Sequence, residues 1–207
     1  MTRMLIIGPP GVGKGTQAER LSHRLNITAI STGDIFRANI KGQSPLGLAA
    51  KEYLDRGDFV PDSLTNCLVR DRLLEEDTKK GFLLDGYPRT SAQVEYLDAV
   101  LADNNLKLDI VLQLTADDGE LLARLIARSQ EAGRSDDNEA VIRHRLDLFR
   151  QQTEAVVAKY DERNILLKVI GTGSIETVTD RIYRQITPRL KRQGRQDARL
   201  ATAVGRQ

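Results

Sequence analysis

The sequence is poor in the residues that make covalent or metal cross-links. It contains one cysteine, two histidines, no tryptophan and only 4% aromatic residues. A single cysteine, Cys67, excludes an internal disulfide, and with only His23 and His144 beside it there is no ligand set for structural zinc. We therefore expect Cys67 to be a small core residue on a helix and both histidines to lie on helix surfaces.

Long apolar runs and a strong charge of one sign are also missing. No apolar segment approaches the roughly 18 residues of a membrane span, and the run at Met4 to Ile7 is too short for a secretory signal. The net charge is only +2 over 207 residues, which does not favour a nucleic-acid surface. These features predict a cytoplasmic protein of one domain, without a membrane or nucleic-acid partner.

Short apolar runs bounded by turn residues alternate with longer segments of helical apolar spacing. This alternation is typical of a parallel sheet covered by helices on both faces, a three-layer α/β/α arrangement. Five strands are predicted, at Met4 to Ile7, Thr28 to Ile30, Phe82 to Leu84, Ile110 to Leu114 and Ile165 to Ile170. Helices are predicted at Lys14 to Leu25, Gly33 to Ile40, Pro45 to Arg56, Asp62 to Glu76, Ser91 to Ala102, Asp117 to Arg128, Asn138 to Tyr160 and Ser174 to Ile186.

Three segments depart from the alternation. Residues 31–60 hold two predicted helices with no strand between them, and Ser129 to Asn138, SQEAGRSDDN, form a polar loop between two long helices. Both are predicted to be inserts that move over a site. The tail of residues 188–207 is basic and lacks an apolar stripe, so we expect it to be frayed or disordered, with a weak contact to a partner as the alternative.

The densest motif follows the first predicted strand and reads GPPGVGKGT, from Gly8 to Thr16. It matches the phosphate-binding pattern G-x-x-x-x-G-K-[ST], with one further glycine, Gly15, before the threonine. The glycines let backbone N–H groups converge on phosphate oxygens at a helix start, and Lys14 adds a point charge for the β and γ phosphates. Alone, this motif predicts a P-loop nucleotide-binding protein and leaves the reaction open.

Other motifs narrow the chemistry. Five arginines lie in loop-like or helix-edge contexts and indicate a small anionic ligand: Arg37, Arg89, Arg128, Arg134 and Arg145. Phosphoryl transfer between phosphates depends on positioning and charge neutralisation, so no strong base is required. The motifs STGD at residues 31–34, GDFVPD at 57–62, GFLLDGYPRT at 81–90 and GRSDDN in the polar loop follow in order.

In this order and spacing, the motifs resemble the adenylate kinase family of nucleoside monophosphate kinases, over roughly residues 1–187. The resemblance implies a single P-loop kinase domain at 1–187, with a helical insert for the monophosphate at 31–60 and a short lid at 129–137. It also implies a monomer that binds ATP, AMP and ADP. The family's long lid, which sometimes carries four cysteines for zinc, is absent from the sequence, so Mg²⁺ and no zinc is expected.

The activity implied is reversible transfer of a phosphoryl group from MgATP to AMP, giving two ADP. The alternatives are a UMP/CMP kinase of the same family and a nucleotide-binding protein without turnover. The catalytic residues implied are Lys14, Arg89, Arg128, Arg134 and Arg145. ATP would be bound by Gly11, Val12, Gly13, Lys14, Gly15, Thr16, Arg128 and Gly173. AMP would be bound by Thr32, Arg37, Asp58, Phe59, Val60, Gly86, Tyr87, Pro88, Arg89, Gln93, Arg134 and Arg145.

Individual residues carry further expectations. Asp85 ends a predicted strand next to the P-loop and is expected to hold Mg²⁺ through coordinated water, with Thr16 as a second candidate. The amide of Gln93 offers the donor and acceptor that match adenine N6 and N7, which favours AMP. Phe59 departs from the family's more usual leucine, which matters little if its contact is through the main chain. Asp136 and Asp137 are expected either to pair with the lid arginines or to cap the next helix.

Overall fold

The computed structural model describes the backbone of residues 1–132 and 138–204 and the side chains of residues 1–128 and 138–192. Within these ranges, five strands form one parallel sheet in the order β2-β3-β1-β4-β5. The strands are β1 Thr2–Ile7, β2 Thr28–Ser31, β3 Gly81–Asp85, β4 Ile110–Thr115 and β5 Leu166–Ile170. The predicted strands are therefore confirmed, each to within two residues.

Helices pack on both faces of this sheet, so the α/β prediction with three layers is confirmed. Their bounds are α1 Lys14–Leu25, α2 Thr32–Lys41, α3 Pro45–Arg56, α4 Asp62–Leu73, α5 Ser91–Asp103, α6 Asp118–Ala132, α7 Glu139–Leu148, α8 Glu154–Glu162 and α9 Ile175–Val204. A 3₁₀ turn at Glu76–Lys80 precedes β3, and a π-helical turn at Phe149–Thr153 joins α7 to α8.

Alternate residues of the central strand point into two separate cores. Met4 and Ile6 pack with side chains of α1, α6 and α9, whereas Leu5 and Ile7 pack with side chains of α4, α5 and α8. All four are at most 4% exposed. A strand that is buried on both faces reads as a continuous apolar run, which is why Met4 to Ile7 could be identified from sequence.

The carboxyl ends of three neighbouring strands meet at one edge of the sheet. Asp85, the last residue of β3, lies opposite Ile6 of β1 and Ser31 of β2 in the parallel register. The P-loop follows β1, and α2 follows β2 directly. Ligands of open α/β sheets bind in the crevice outside these strand ends, so the topology gathers three of the sequence motifs there.

Residues 31–60 contain α2 and α3 with no strand between them, as the sequence predicts. This segment has a small core of its own, made of Phe36, Ala50 and Val60. The second helix starts cleanly because the Ser44 hydroxyl accepts a hydrogen bond from the Gly47 N–H at 3.0 Å. The insert is thus a structured unit attached beside the strand ends.

Helix α6 ends later than the sequence indicated. We expected a polar loop from Ser129, but α6 continues to Ala132. Gln130, Glu131 and Ala132 all have good helix propensity and extend the helix beyond Arg128. Residues 133–137 lie outside the described backbone.

The predicted end of the last helix is wrong. We expected it at Ile186, followed by a frayed tail, but α9 runs through Pro188 to Val204 and takes in most of that segment. The apolar spacing Ile182, Ile186, Leu190 continues past the proline, and Leu190 packs against the core that contains Ile186. That packing offsets the hydrogen bond lost at the proline.

Cys67 is exposed and is not the core residue we expected. Helix α4 buries Thr65, Val69 and Leu73, which recur every four residues, and Cys67 lies on another side of that helix. His23 and His144 are exposed on α1 and α7, as predicted. Among the residues described, no helix has both the length and the apolar character required to span a bilayer.

Candidate active site

The loop between β1 and α1 forms an open cradle. Gly13 directly precedes α1 with φ +94°, a left-handed backbone that favours glycine. Gly15 and Thr16, in the first turn of the helix, are exposed. The N–H groups of a first helical turn have no partner within the helix. They lie at the positive end of the helix dipole and point outward, so this cradle can bind an anion such as a phosphate.

Lys14 folds back across the same loop. Its Nζ donates to the carbonyl oxygens of Gly8 at 2.8 Å and Pro9 at 3.0 Å. Burial lowers the pKa of Lys14 from 10.5 to about 8, while the negative Asp85 acts in the opposite direction. Three guanidinium groups lower this pKa further: Arg89, Arg145 and Arg128. The lysine therefore lies in a positive field that suits a phosphate chain.

Asp85 brings a buried carboxylate to the edge of this cradle. Its side chain faces the first turn of α1, because a Cβ added to Gly15 would lie 3.9 Å from its Oδ2. Within the described residues, Oδ1 is buried with no hydrogen-bond partner. Burial raises the pKa of Asp85, and the charges of Lys14 and Arg89 oppose this rise. An unpaired carboxylate oxygen beside a phosphate cradle fits the position of a magnesium ligand.

One cleft brings together most of the predicted donor-side residues. It is lined by the cradle glycines Gly11, Gly13 and Gly15, and by Lys14, Thr16, Asp85, Arg89, Arg128 and Arg145. Val12 and Gly173 lie outside this lining. The Val12 side chain is 1% exposed in the core, and Gly173 lies in the loop between β5 and α9. Val12 can therefore contribute only through its main chain.

Arg124 lines the same cleft and was missed from sequence. Its Nη1 donates to the Gly171 carbonyl at 3.1 Å, and it also pairs with Glu120. It precedes Arg128 by four residues, so both arginines lie on one face of α6. That spacing was the signal that could have identified it.

A second pocket adjoins the cleft and gathers the predicted acceptor residues. It is lined by Thr32, Arg37, Asp58, Phe59, Val60, Gly86, Arg89, Gln93 and Arg145. Tyr87 and Pro88 instead line a neighbouring cavity that reaches Lys14. Of the predicted AMP-binding residues, only Arg134 lies outside the described residues.

Gly86 makes the close packing of the acceptor pocket possible. A Cβ added there would lie 2.6 Å from Thr32 Oγ1 and 3.2 Å from an Arg89 guanidinium nitrogen, and φ is +84°. Distances this short leave no room for a side chain. The glycine of DGYPRT is therefore needed both for its backbone and for the approach of these two side chains.

Arg89 is held by contacts from separate segments. Its Nε donates to the Gly86 carbonyl at 2.7 Å, and its guanidinium lies 5.0 Å from the centroid of the Phe59 ring. Its backbone N–H donates to Gln93 Oε1 at 2.7 Å, and its carbonyl accepts from Thr153 Oγ1 at 3.3 Å. Thr153 was missed because it is 64 residues from Arg89 and belongs to no local motif.

Gln93 is 1% exposed and its amide is already engaged. Besides accepting from Arg89, it donates from Nε2 to Asp62 Oδ1 at 2.7 Å, and Asp62 also accepts from Thr90 at 3.1 Å. One amide N–H then remains for a ligand in the pocket. The sequence predicts Asp62 only as the start of a helix, and the hydrogen bond by which it orients Gln93 is seen only in the structure.

Arg37 approaches the pocket from α2. It donates to Asp34 Oδ1 at 2.6 Å, one turn earlier in the helix. Its guanidinium also lies close to Gly33, where an added Cβ would be 3.0 Å from Nη2. The STGD motif thus places this arginine on the pocket wall that it shares with Arg89.

The end of the insert packs against α7. A Cβ on Gly57 would lie 2.7 Å from Val141 Cγ1 and 2.8 Å from Arg145 Cγ. The Asp58 carboxylate accepts from His144 Nε2 at 2.7 Å, and hydrogen bonds from Arg56 first and His144 second lower the pKa of Asp58. These contacts place Arg145 beside the acceptor pocket.

The segment between α6 and α7 carried three predicted residues, Arg134, Asp136 and Asp137, and all three lie outside the described residues. The start of α7 is described. Its N-cap is Asn138, whose Oδ1 accepts from the Val141 N–H at 3.0 Å. Among the described residues, no three or more His, Cys, Asp or Glu side chains are grouped so that they could hold a metal ion. That the protein binds no zinc stays a prediction.

Comparison with known proteins gives one consistent answer. A family model described as "Adenylate kinase" matches residues 6–165. The adenylate kinase of Pseudarthrobacter chlorophenolicus is 71% identical over 186 residues, covering 90% of this chain and 97% of the relative. That of Renibacterium salmoninarum is 66% identical, covering 90% and 96%, and that of Thermobifida fusca is 52% identical, covering 90% and 99%. The chain belongs to the adenylate kinase family.

Proposed function

We propose a division of roles for the reversible ATP:AMP phosphoryl transfer that membership of this family assigns to the chain. The cradle from Gly11 to Thr16 binds the ATP phosphates through main-chain N–H groups, and Lys14 neutralises the β and γ phosphates. The pocket beneath the insert binds AMP, with Arg37 and Arg89 on its phosphate. Arg128, Arg134 and Arg145 stabilise the phosphoryl group during transfer.

One observation carries this proposal. The donor cleft and the acceptor pocket share part of their lining, including Gly86, Arg37, Arg89 and Arg145. A phosphate that enters from either side therefore meets the same guanidinium groups. In-line transfer between two phosphates requires a shared, positively charged wall of this kind. Negative charge is spread over the transferring phosphoryl group while its bond to the leaving oxygen breaks and its bond to the attacking oxygen forms.

We assign magnesium to Asp85, with Thr16 as a second candidate. The family generally uses ATP with Mg²⁺, and one or two carboxylates together with phosphate oxygens and waters are a usual ligand set. Bound there, the ion would neutralise charge on the phosphates. The chain's own part is to present a carboxylate oxygen that is buried and, among the described residues, unpaired at the end of β3.

The acceptor base is assigned to the pocket around Gln93. Asp62 and the Arg89 N–H orient its amide, leaving one N–H for the base, and the buried Thr32 and the main chain of residues 58–60 close the pocket. An amide donor with an acceptor beside it suits adenine. The monomeric state and the cytoplasmic location remain predictions.

An acceptor panel tests the assignment. We expect AMP to exceed UMP, CMP and GMP by at least about a hundredfold in kcat/KM at a fixed MgATP concentration, because a pocket built to hydrogen-bond one base leaves polar groups unpaired with another. Formation of ADP from ATP and AMP would be followed in a coupled assay. Strong UMP or CMP turnover without AMP turnover would refute the adenine interpretation of Gln93.

A further inference from the structure

Phe59 lies at a junction that the main-chain role expected for it does not explain. Its ring lines both the acceptor pocket and the neighbouring cavity that reaches Lys14. The Arg89 guanidinium carbon lies 5.0 Å from the ring centroid, which is within the range of a cation–π contact. The ring is half-buried, so water screens this contact less than it would on an open surface.

The contact joins two parts of the site that are separate in sequence. Phe59 belongs to the end of the insert, and Arg89 belongs to the loop after β3. The Arg89 backbone is held by Gln93 and Thr153, and its Nε by the Gly86 carbonyl. These bonds fix one edge of the guanidinium group. The Phe59 ring, 5.0 Å from the guanidinium carbon, restricts the directions in which the remaining N–H groups can point.

We propose that Phe59 is a positioning residue for phosphoryl transfer: its ring, through a cation–π contact, orients the Arg89 guanidinium toward the acceptor phosphate before AMP binds. The benefit is preorganisation, since a guanidinium that is already oriented loses less conformational freedom when the phosphate arrives. Because the ring comes from the insert, the orientation of Arg89 depends on the insert lying in this position. The inference rests on the role proposed above for Arg89.

The test separates the charge of the ring face from its bulk. Phe59 would be replaced by phenylalanines carrying one, two and three fluorines, which progressively weaken the negative ring face at nearly constant shape, and by leucine. We expect the logarithm of kcat/KM for AMP to fall stepwise with each fluorine, and Phe59→Leu to lose about tenfold. The KM for ATP and the melting temperature should stay near those of the unmodified protein.

A double-mutant cycle adds the arm that identifies Arg89 as the partner. In an Arg89→Ala background, Phe59→Leu should change kcat/KM for AMP by less than about twofold, because the contact is already lost. A flat fluorine series, or an equal loss from Phe59→Leu in both backgrounds, would overturn the inference and leave Arg89 in its role. Near-normal turnover of Arg89→Ala alone would instead refute the proposed function of that arginine.

Discussion

In the proposed division of roles, the donor cradle and the acceptor pocket present different kinds of group to a phosphate. The cradle uses main-chain N–H groups of consecutive residues, Gly11 to Thr16, and one lysine. The acceptor pocket uses guanidinium groups on side chains, Arg37 and Arg89, that other side chains hold in place. A main-chain cradle is complete once its loop has folded. The position of an arginine side chain, by contrast, depends on the residues that contact it.

The difference suggests where each half is vulnerable. A substitution distant from the acceptor phosphate can still weaken its binding, because Asp62 orients Gln93 and Gln93 in turn accepts a hydrogen bond from the Arg89 backbone. The cradle depends on fewer other residues, because Lys14 donates hydrogen bonds directly to carbonyl oxygens of its own loop. We therefore expect selective loss of one substrate when either half is changed, and wider networks of effect on the acceptor side.

The largest selective effect should come from Arg89→Ala. It removes a bidentate donor from the acceptor phosphate, and we expect turnover to fall by at least about two orders of magnitude. Binding of ATP should weaken far less than turnover, since the cradle itself is left intact although Arg89 also lines the donor cleft. Turnover would be measured with saturating ATP and AMP, and ATP binding by calorimetry.

Arg89→Lys is the matched variant. It keeps the positive charge but not the planar fork, so its activity should lie between those of the wild type and Arg89→Ala. If the Arg89→Ala variant turned over at a near-normal rate, the proposed role of Arg89 at the acceptor phosphate would be refuted. If it lost ATP binding as well, the two halves would not be separable in the way that their contacts indicate.

A smaller effect is expected from substitution of either of two buried glutamines, Gln93 and Gln17, one in each half. Gln93→Met would leave the Asp62 carboxylate and the Arg89 N–H without their partner, and we expect kcat/KM for AMP to fall about thirtyfold. Gln17, 3% exposed, is its counterpart: it donates to the Ile175 carbonyl at 3.1 Å and accepts from Thr179 at 2.8 Å.

Gln17→Met should therefore raise the KM for ATP, because it loosens α1 from the start of α9, and leave the KM for AMP nearly unchanged. Melting temperatures of both variants would show how much of each effect is general destabilisation. Equal losses for both substrates in both variants would contradict the division into a donor half and an acceptor half.

Most of the predicted donor-side residues line the first cleft, and they could be predicted from sequence because the information for them is local. Strand, glycine loop, lysine and helix start all fall within Thr2 to Leu25, and each follows from backbone geometry that a short pattern encodes. Two donor-side residues needed the structure. The Val12 side chain proved to be buried in the core, and Arg124 was missed although it lies one turn before Arg128.

Most residues that line the second pocket were predicted from motifs, but the motifs did not predict the contacts that hold these residues in place. The sequence predicts Asp62 only as the start of a helix, and Thr153 lies in a π-helical turn that no local pattern predicts. The ring of Phe59 seemed unimportant because a main-chain contact was expected. Each of these contacts depends on which surfaces meet across the fold, and a single sequence does not show which residues from distant segments meet.

The smallest effect we predict is the number of protons taken up when a nucleotide binds. It should differ between the two halves, because the cradle uses a lysine and the acceptor pocket uses arginines. In the free protein the pKa of Lys14 is about 8, so at pH 8 about half of these lysines are neutral. Phosphate favours the charged form, and Mg-free ATP should therefore bind with uptake of roughly half a proton. Arginines do not titrate in this range, so AMP should bind with almost none. Calorimetry in buffers of different ionisation enthalpy measures both.

The sign of the pH dependence follows from the direction of the shift. Since the pKa of Lys14 is lowered on folding, uptake should vanish below about pH 7, where the lysine is already charged, and grow as the pH rises above 8. Asp85→Asn removes a charge that raises this pKa, so uptake at pH 8 should increase, and Lys14→Arg should abolish it. Equal uptake for ATP and AMP in the wild type would mean that the titrating group is not in the cradle.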